Sequence, residues 1–127
     1  MYFAGFSDKG KWPKNGGISL KLPELKIGTK IARVPIMQGG MAIRLSTGAL
    51  AAAVANQGGI GLIAASGMTP QELRYEIRMA RSLSKGVIGI NIMFAAKKFA
   101  EMVNTAIDEG IEISTAATIS GIISLID

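Results

Sequence analysis

Residues 55–73 read Ala55-Asn56-Gln57-Gly58-Gly59-Ile60-Gly61-Leu62-Ile63-Ala64-Ala65-Ser66-Gly67-Met68-Thr69-Pro70-Gln71-Glu72-Leu73, and their punctuation decides the fold. An alanine-rich helical pattern stops at Gly58, just past its end, where glycine suits a helix terminus. An unbroken apolar run of strand length follows, from Gly59 to Ala65. Thr69 then offers an N-cap, Pro70 the first helical position and Glu72 the partner of a capping box. Helix, strand and helix therefore succeed one another with almost no spare chain.

The same grammar extends in both directions. Downstream, "TPQELRYEIRMARSLSKG" is the clearest helix, with Leu73, Ile77, Ala80 and Leu83 or Ser84 on one face. Arg74, Arg78 and Arg81 make another face, read as solvated, and Gly86 ends the helix. "VIGINIM" (87–93) reads as a strand. "AAKKFAEMVNTAIDEG" reads as a helix with Phe99, Met102, Val103, Ala106 and Ile107 on one side, stopped by Gly110. "IEISTAA" (111–117) reads as a further strand, and "ISGIISLID" as the opening of a further helix. Upstream, "STGALAAAVANQG" is a helix with Ser46 or Thr47 as N-cap, preceded by the strand "IARVPIM" (31–37).

Strand starts recur about every 25 residues, close to one βαβ step. Strands that read apolar on both faces belong to a parallel sheet covered by helices. The expected fold is α/β, with about four parallel (β/α) units wound in one hand. Residues 1–20 read as an irregular N-terminal arm, since "DKGKWPKNGG" is turn and loop chemistry. Residues 21–127 read as the folded domain, with "KLPELKIG" a short covering segment before the first buried strand.

Composition narrows the function classes. The chain has 127 residues, 16 glycines, no cysteine and no histidine. A disulfide framework, a thiolate nucleophile and zinc sites of the usual Cys/His kind are excluded, and the commonest general base near neutral pH is missing. The net charge is +5, with Lys9, Lys11, Lys14, Lys21, Lys26, Lys30 and Arg33 gathered near the N-terminus. Those cations are scattered among glycines and prolines, so a solvated arm is read there and no nucleic-acid partner. Leu45 to Gln71 carries no charge, but Asn56-Gln57-Gly58-Gly59 interrupts it. It reads as two elements and a turn, with no membrane partner, in a soluble cytoplasmic protein.

A dinucleotide fingerprint is absent where it would matter. Gly59, Gly61 and Ala64 match Gly-x-Gly-x-x-Ala, yet they precede and enter a strand and cannot cradle a pyrophosphate. Gln38-Gly39-Gly40 lies after a strand but lacks the third small residue, and no Walker Lys-Ser/Thr follows. An open doubly wound sheet and a (β/α)8 barrel both stay open on pattern alone.

"KLPELKIG", "VPIMQGGM", "AAAVANQGGIGLIAASG" and "GINIM", in this order and spacing from about Leu22 to Gly110, resemble the start of the nitronate monooxygenase family, formerly called 2-nitropropane dioxygenases. That family is itself similar to the flavin-dependent enoyl-acyl-carrier-protein reductases. The resemblance implies the N-terminal half of a TIM barrel holding FMN over the C-terminal ends of its strands. It implies a small-molecule substrate, a nitronate or nitroalkane, oxidised to a carbonyl compound and nitrite with oxygen. An enoyl reductase fragment or a non-catalytic half-barrel module are the alternatives.

By the same resemblance Gln38, Gly39, Gly40 and Met41 end the first strand beside the flavin, Ser66 follows the second, and Asn91 lies on the third against FMN. Structural readings stand beside these: a plain turn at Gly39-Gly40, a cap at Ser66, a capped loop at Asn91, and core filling by Met37, Met41 and Met93. Family members are much longer, and their late glycine loops and catalytic histidine have no counterpart here. This chain alone is therefore expected to be inactive, and to self-associate through exposed sheet edges.

Overall fold

The computed structural model describes residues 22–94, 96–118 and 121–125, so the N-terminal arm lies outside the described residues. Two short strands open the fold, β1 (Leu25–Ile27) and β2 (Lys30–Ala32). They pair antiparallel, Leu25 opposite Ala32, across a two-residue turn in which Gly28 takes a φ of 56°. Then come α1 (Gly48–Asn56), β3 (Ile60–Ala64), α2 (Pro70–Leu83), β4 (Val87–Met93), α3 (Phe99–Asp108), β5 (Ser114–Thr118) and β6 (Gly121–Leu125). β3, β4 and β5 form a parallel sheet in that order, with β6 antiparallel on β5. The architecture is α/β, built from parallel β–helix units as half of a TIM barrel.

Two readings of the strands are corrected. "IARVPIM" is not one strand. Its first part joins the hairpin, and its last part meets the sheet only at a parallel bridge from Met37 to Ile60. Pro35, between them, has no N–H to give a ladder. On either side of it Val34 N–H donates to Gly58 O (3.0 Å) and Ile60 N–H to Ile36 O (2.9 Å). The segment expected to open a fourth helix is instead strand β6. "GIISL" holds two adjacent β-branched isoleucines and lies a two-residue connection from β5, which suits an antiparallel hairpin better than a helix.

The outer sheet face packs on the helices. Ile63, Ile90 and Ile92 meet Ala51 and Ala52 of α1, Leu73, Ile77 and Ala80 of α2, and Met102 and Ala106 of α3. α1 is alanine-rich because it nearly touches β3: a Cβ on Gly61 would lie 1.9 Å from Ala51 O. The inner face carries a second cluster, Ile60, Leu62 and Ile113 with Ala32 of the hairpin. Leu25 and Ile27 pack against it, so the hairpin closes the N-terminal end of the sheet.

α2 has its expected box: Glu72 N–H donates to Thr69 Oγ1 (3.2 Å) and Thr69 N–H to Glu72 Oε2 (2.8 Å). Its arginine face is not simply solvated. Arg74 reaches Asp108 (3.0 Å) and Glu109 (3.1 Å), Arg78 reaches Glu109 (2.8 Å), and Arg81 donates to the Glu109 and Gly110 carbonyls. Cations thus cover the carbonyl end of α3, where the helix dipole favours them. On α3 Met102 and Ala106 are buried and Phe99 and Val103 pack against the core as expected, but Ile107 is exposed and Thr105 takes an inward place instead. Thr105 is tolerated inside because its hydroxyl donates back to Glu101 O (2.8 Å).

Candidate functional site

The parallel register places Ala64, Asn91 and Thr115 level with one another across β3, β4 and β5. Side chains alternate along a strand. Ile90 and Ile92 face the helices, so Asn91 faces the inner side near the C-terminal end of β4. Asn91 Nδ2 donates to Thr115 Oγ1 (2.9 Å). The same Nδ2 faces the Thr115 carbonyl (3.5 Å), which can only accept, and the Thr115 hydroxyl donates to Ile90 O (3.4 Å), so Oδ1 is left as an acceptor.

The loop after Met37 comes down onto the same place. Gln38 N–H donates to Ile60 O (2.9 Å), continuing the bridge to β3. Gln38 Nε2 donates to Leu62 O (3.2 Å) and to Ser46 Oγ (2.8 Å). Leu62 O can only accept, so the amide cannot be turned the other way. Its Oε1 is buried and has no partner among the described residues. Two residues on, Gly40 lies against Asn91: a Cβ there would sit 2.4 Å from Asn91 Cβ and 2.7 Å from Oδ1. No side chain larger than glycine fits between this backbone and the asparagine.

Gln38, Gly40 and Asn91 are therefore brought together at the C-terminal rim. Gly39 and Met41 join through their backbones: Ser46 Oγ donates to Gly39 O (3.2 Å) and accepts from Met41 N–H (2.9 Å). Among the described residues, no acceptor meets the N–H of Gly39 or Gly40. Ser66 lies just past β3 and makes no side-chain hydrogen bond among the described residues, while Gly67 beside it takes a φ of 78°. The side chains of Met41, Ile43, Met93 and Phe94 are exposed. Met41 and Met93, read as core fillers, are not in the core.

Sequence reasoning missed Ser46 and Thr115 as parts of the site. Ser46 was one of two candidate helix caps. The N-cap is Thr47, without a side-chain cap bond, and the Gly48 N–H finds Glu76 Oε2 instead (2.6 Å). Ser46 is completely buried and turned toward the loop. A serine before a helix gives no sign of which way it faces. Thr115 had no signal beyond its place in a strand.

The rim is electrically quiet. Gln38, Ser46, Asn91 and Thr115 are neutral at all working pH values. The nearby cation Arg44 is spent on Glu72 (2.7 Å), and that carboxylate is held down to about 2, first by the Thr69 backbone N–H and then by Arg44. Concavities of 230 and 320 Å³ open at the opposite end of the sheet, lined by Arg33, Lys85 and Gly86 and by Lys30, Arg81 and Glu112, and neither touches Gln38, Gly40 or Asn91. A neutral, open shelf with a glycine cradle, backbone donors without acceptors among the described residues and the Asn91 amide acceptor suits the edge of a planar uncharged heterocycle. An isoalloxazine ring fits that description. Gln38, Gly39, Gly40, Met41, Ser66 and Asn91 include no cation for the phosphate of FMN.

Among the described residues, no helix is long and apolar enough to cross a membrane. The family model of nitronate monooxygenase matches residues 24–123. No curated protein sequence matches the chain. Among solved structures it is similar to FabK from Thermotoga maritima, with 34% identity and a TM-score of 0.64 over 66% of this chain and 27% of that one. The M276A mutant of the same FabK matches equally, with 28% of its chain covered. The chain thus spans roughly a quarter of the length of these relatives. A match that runs through the hairpin, the glycine loop and the parallel strands carries the conclusion: this chain belongs to the nitronate monooxygenase family of flavin-dependent oxidoreductases.

Proposed function

We propose that this chain supplies the ring side of an FMN site in an oxidoreductase that converts nitronates to a carbonyl compound and nitrite with oxygen. The observation that carries the reading is the meeting of Gly40 with Asn91 beside Gln38. Gln38, Gly39, Gly40, Met41, Ser66 and Asn91 would line the ring. When bound, FMN supplies the two-electron chemistry that these neutral side chains lack. The chain's own residues would orient it: the N–H groups of Gly39 and Gly40, without acceptors among the described residues, would donate to the ring edge, and Asn91 Oδ1 would accept from it. The exposed Met41, Ile43, Met93 and Phe94 would offer apolar surface to the ring. Gln38, Ser46, Asn91 and Thr115 do not ionise near neutrality, so proton transfer is not assigned to them.

Fluorescence titration of the purified 127-residue chain with FMN tests this. Quenched flavin fluorescence and a perturbed visible spectrum are expected, both lost in Gly40→Val. A chain that leaves free FMN unchanged at high protein concentration would remove the reading and favour a non-catalytic module.

The likeness to FabK favours a second reading, reduction of an enoyl thioester with hydride from a nicotinamide. Because the chain alone is expected not to turn over, binding separates the two: the spectrum of the flavin-loaded chain should respond to a nitronate on the first reading and to an enoyl thioester or nicotinamide on the second. We also propose that the chain self-associates: among the described residues β6 pairs only with β5, and β3 has only the Met37 bridge on its other side. Sedimentation showing a stable monomer would overturn that.

A further inference from the structure

We propose that Ser46 is the positioning residue of the flavin shelf: its buried hydroxyl holds the Gln38–Met41 loop in the shape that leaves the Gly39 and Gly40 N–H groups free. The inference rests on the flavin reading above for its purpose, but the hydrogen-bond geometry stands without it. A serine hydroxyl has one proton and two lone pairs. Here all three are used on one loop. Ser46 Oγ accepts from Gln38 Nε2 (2.8 Å) and from Met41 N–H (2.9 Å) and donates to Gly39 O (3.2 Å).

The hydroxyl therefore sorts the loop's polar groups. Gln38 N–H is committed to Ile60 O, and Met41 N–H to Ser46. The donors left over are those of Gly39 and Gly40, the two residues with no side chain to obstruct a ligand. The Ser46 backbone ties this arrangement to the sheet, since Ala64 N–H donates to Ser46 O (2.9 Å) and Ser46 N–H to Met41 O (3.1 Å). Ser46 is fully buried, so water cannot replace its hydroxyl. Removing it would leave Met41 N–H and Gly39 O without partners, and the loop would turn to find others. Gly40 would then leave Asn91, and the cradle would open.

The test compares the full chain with Ser46→Ala and Ser46→Thr by amide hydrogen exchange without flavin, then by FMN titration. Expected in Ser46→Ala is roughly tenfold or greater acceleration of Met41 exchange, as for one lost buried hydrogen bond. The Ala64 amide should stay as protected as in the parent, because its acceptor is the Ser46 backbone. FMN affinity should fall by roughly tenfold, and the threonine hydroxyl should restore both readouts. Unchanged Met41 exchange in Ser46→Ala would overturn the inference. So would loss of Ala64 and helix protection together with Met41, which would make Ser46 a core residue only. Unchanged FMN affinity despite faster Met41 exchange would overturn its link to the cofactor. A parent chain that binds no FMN sinks the flavin reading, while Met41 exchange still decides whether Ser46 holds the loop.

Discussion

The two ends of the parallel sheet are built from different chemistry. At the N-terminal end the β1–β2 hairpin packs Leu25, Ile27 and Ala32 over the inner cluster, and Lys30 locks onto Glu112 at 2.8 Å. The carbonyl end of α3 is covered there by Arg81. At the C-terminal end Arg44 and Glu72 pair with each other at 2.7 Å, the inward groups are neutral amides and hydroxyls, the backbone is glycine, and Met41, Ile43, Met93 and Phe94 stand exposed. One end satisfies its own polar groups. The other leaves Gln38 Oε1 without a partner in the interior. Barrels place stability at the first end and chemistry at the second, and the proposed flavin shelf of this chain lies at the second.

The sharpest way to break the comparison is to make each end fail separately. Gly61→Ala should cost about 3 kcal/mol, the upper range of overpacking, because the new Cβ meets the Ala51 backbone at 1.9 Å and the helix must lift off the strand. Leu73→Ala, fully buried between α2 and the sheet, should cost roughly 2–5 kcal/mol. Chemical denaturation reads both. Gly40→Ala meets Asn91 Cβ at 2.4 Å, an atom that cannot rotate away, so the Gly39–Gly40 loop must lift from β4 while the helix–sheet packing is left in place. It should shift the midpoint far less than Gly61→Ala yet remove most flavin binding. Equal destabilisation by Gly40→Ala and Gly61→Ala would mean that the rim is core like the rest.

How much of this was legible follows the same division. Glycines at 58, 86 and 110 and the Thr69–Glu72 box gave β3, α2, β4 and the end of α3, because those signals act within a few residues. Gly40 and Asn91 were marked for the site by the resemblance of "VPIMQGGM" and "GINIM" to the nitronate monooxygenase family, which implies strand ends at a barrel rim. What stayed hidden depends on partners far along the chain. Pro35 splits an apolar run that otherwise reads as a strand. "GIISL" becomes a strand beside β5. The arginines of α2 find Asp108 and Glu109 some thirty residues on. Ser46 is decided by which way one hydroxyl turns, and no local pattern records that.

A smaller perturbation sharpens the contrast from the structural side. Thr69→Ala removes the Glu72 N–H acceptor at 3.2 Å while Glu72 still accepts from the Thr69 N–H. A loss of about 1 kcal/mol in denaturation midpoint is expected, as for other N-caps. Riboflavin affinity should not follow it. A parallel loss of flavin binding would show that α2 and the rim share one cooperative unit.

The gentlest probe is acid. Glu72 is lowered to about 2, first by the Thr69 backbone and then by Arg44, Glu109 is lowered first by Arg78 and also by Arg74, and Glu112 is lowered first by Lys30 and then by Thr29. A carboxylate whose folded pKa lies below its unfolded value stabilises the fold fully above the unfolded value, about 4.3 for glutamate. That contribution is lost as pH falls through the folded values. Melting temperature should thus be level from pH 7 to about 5 and decline from about 4.3 downward, with a shallower decline in Glu112→Gln. The pairs are largely exposed, so the decline should be modest. Riboflavin, which has no phosphate, should bind with unchanged affinity until the fold itself begins to melt, because no rim side chain titrates in that window. A binding curve that bends at higher pH than the melting curve would place an ionising group at the C-terminal rim and end the division of labour between the two ends.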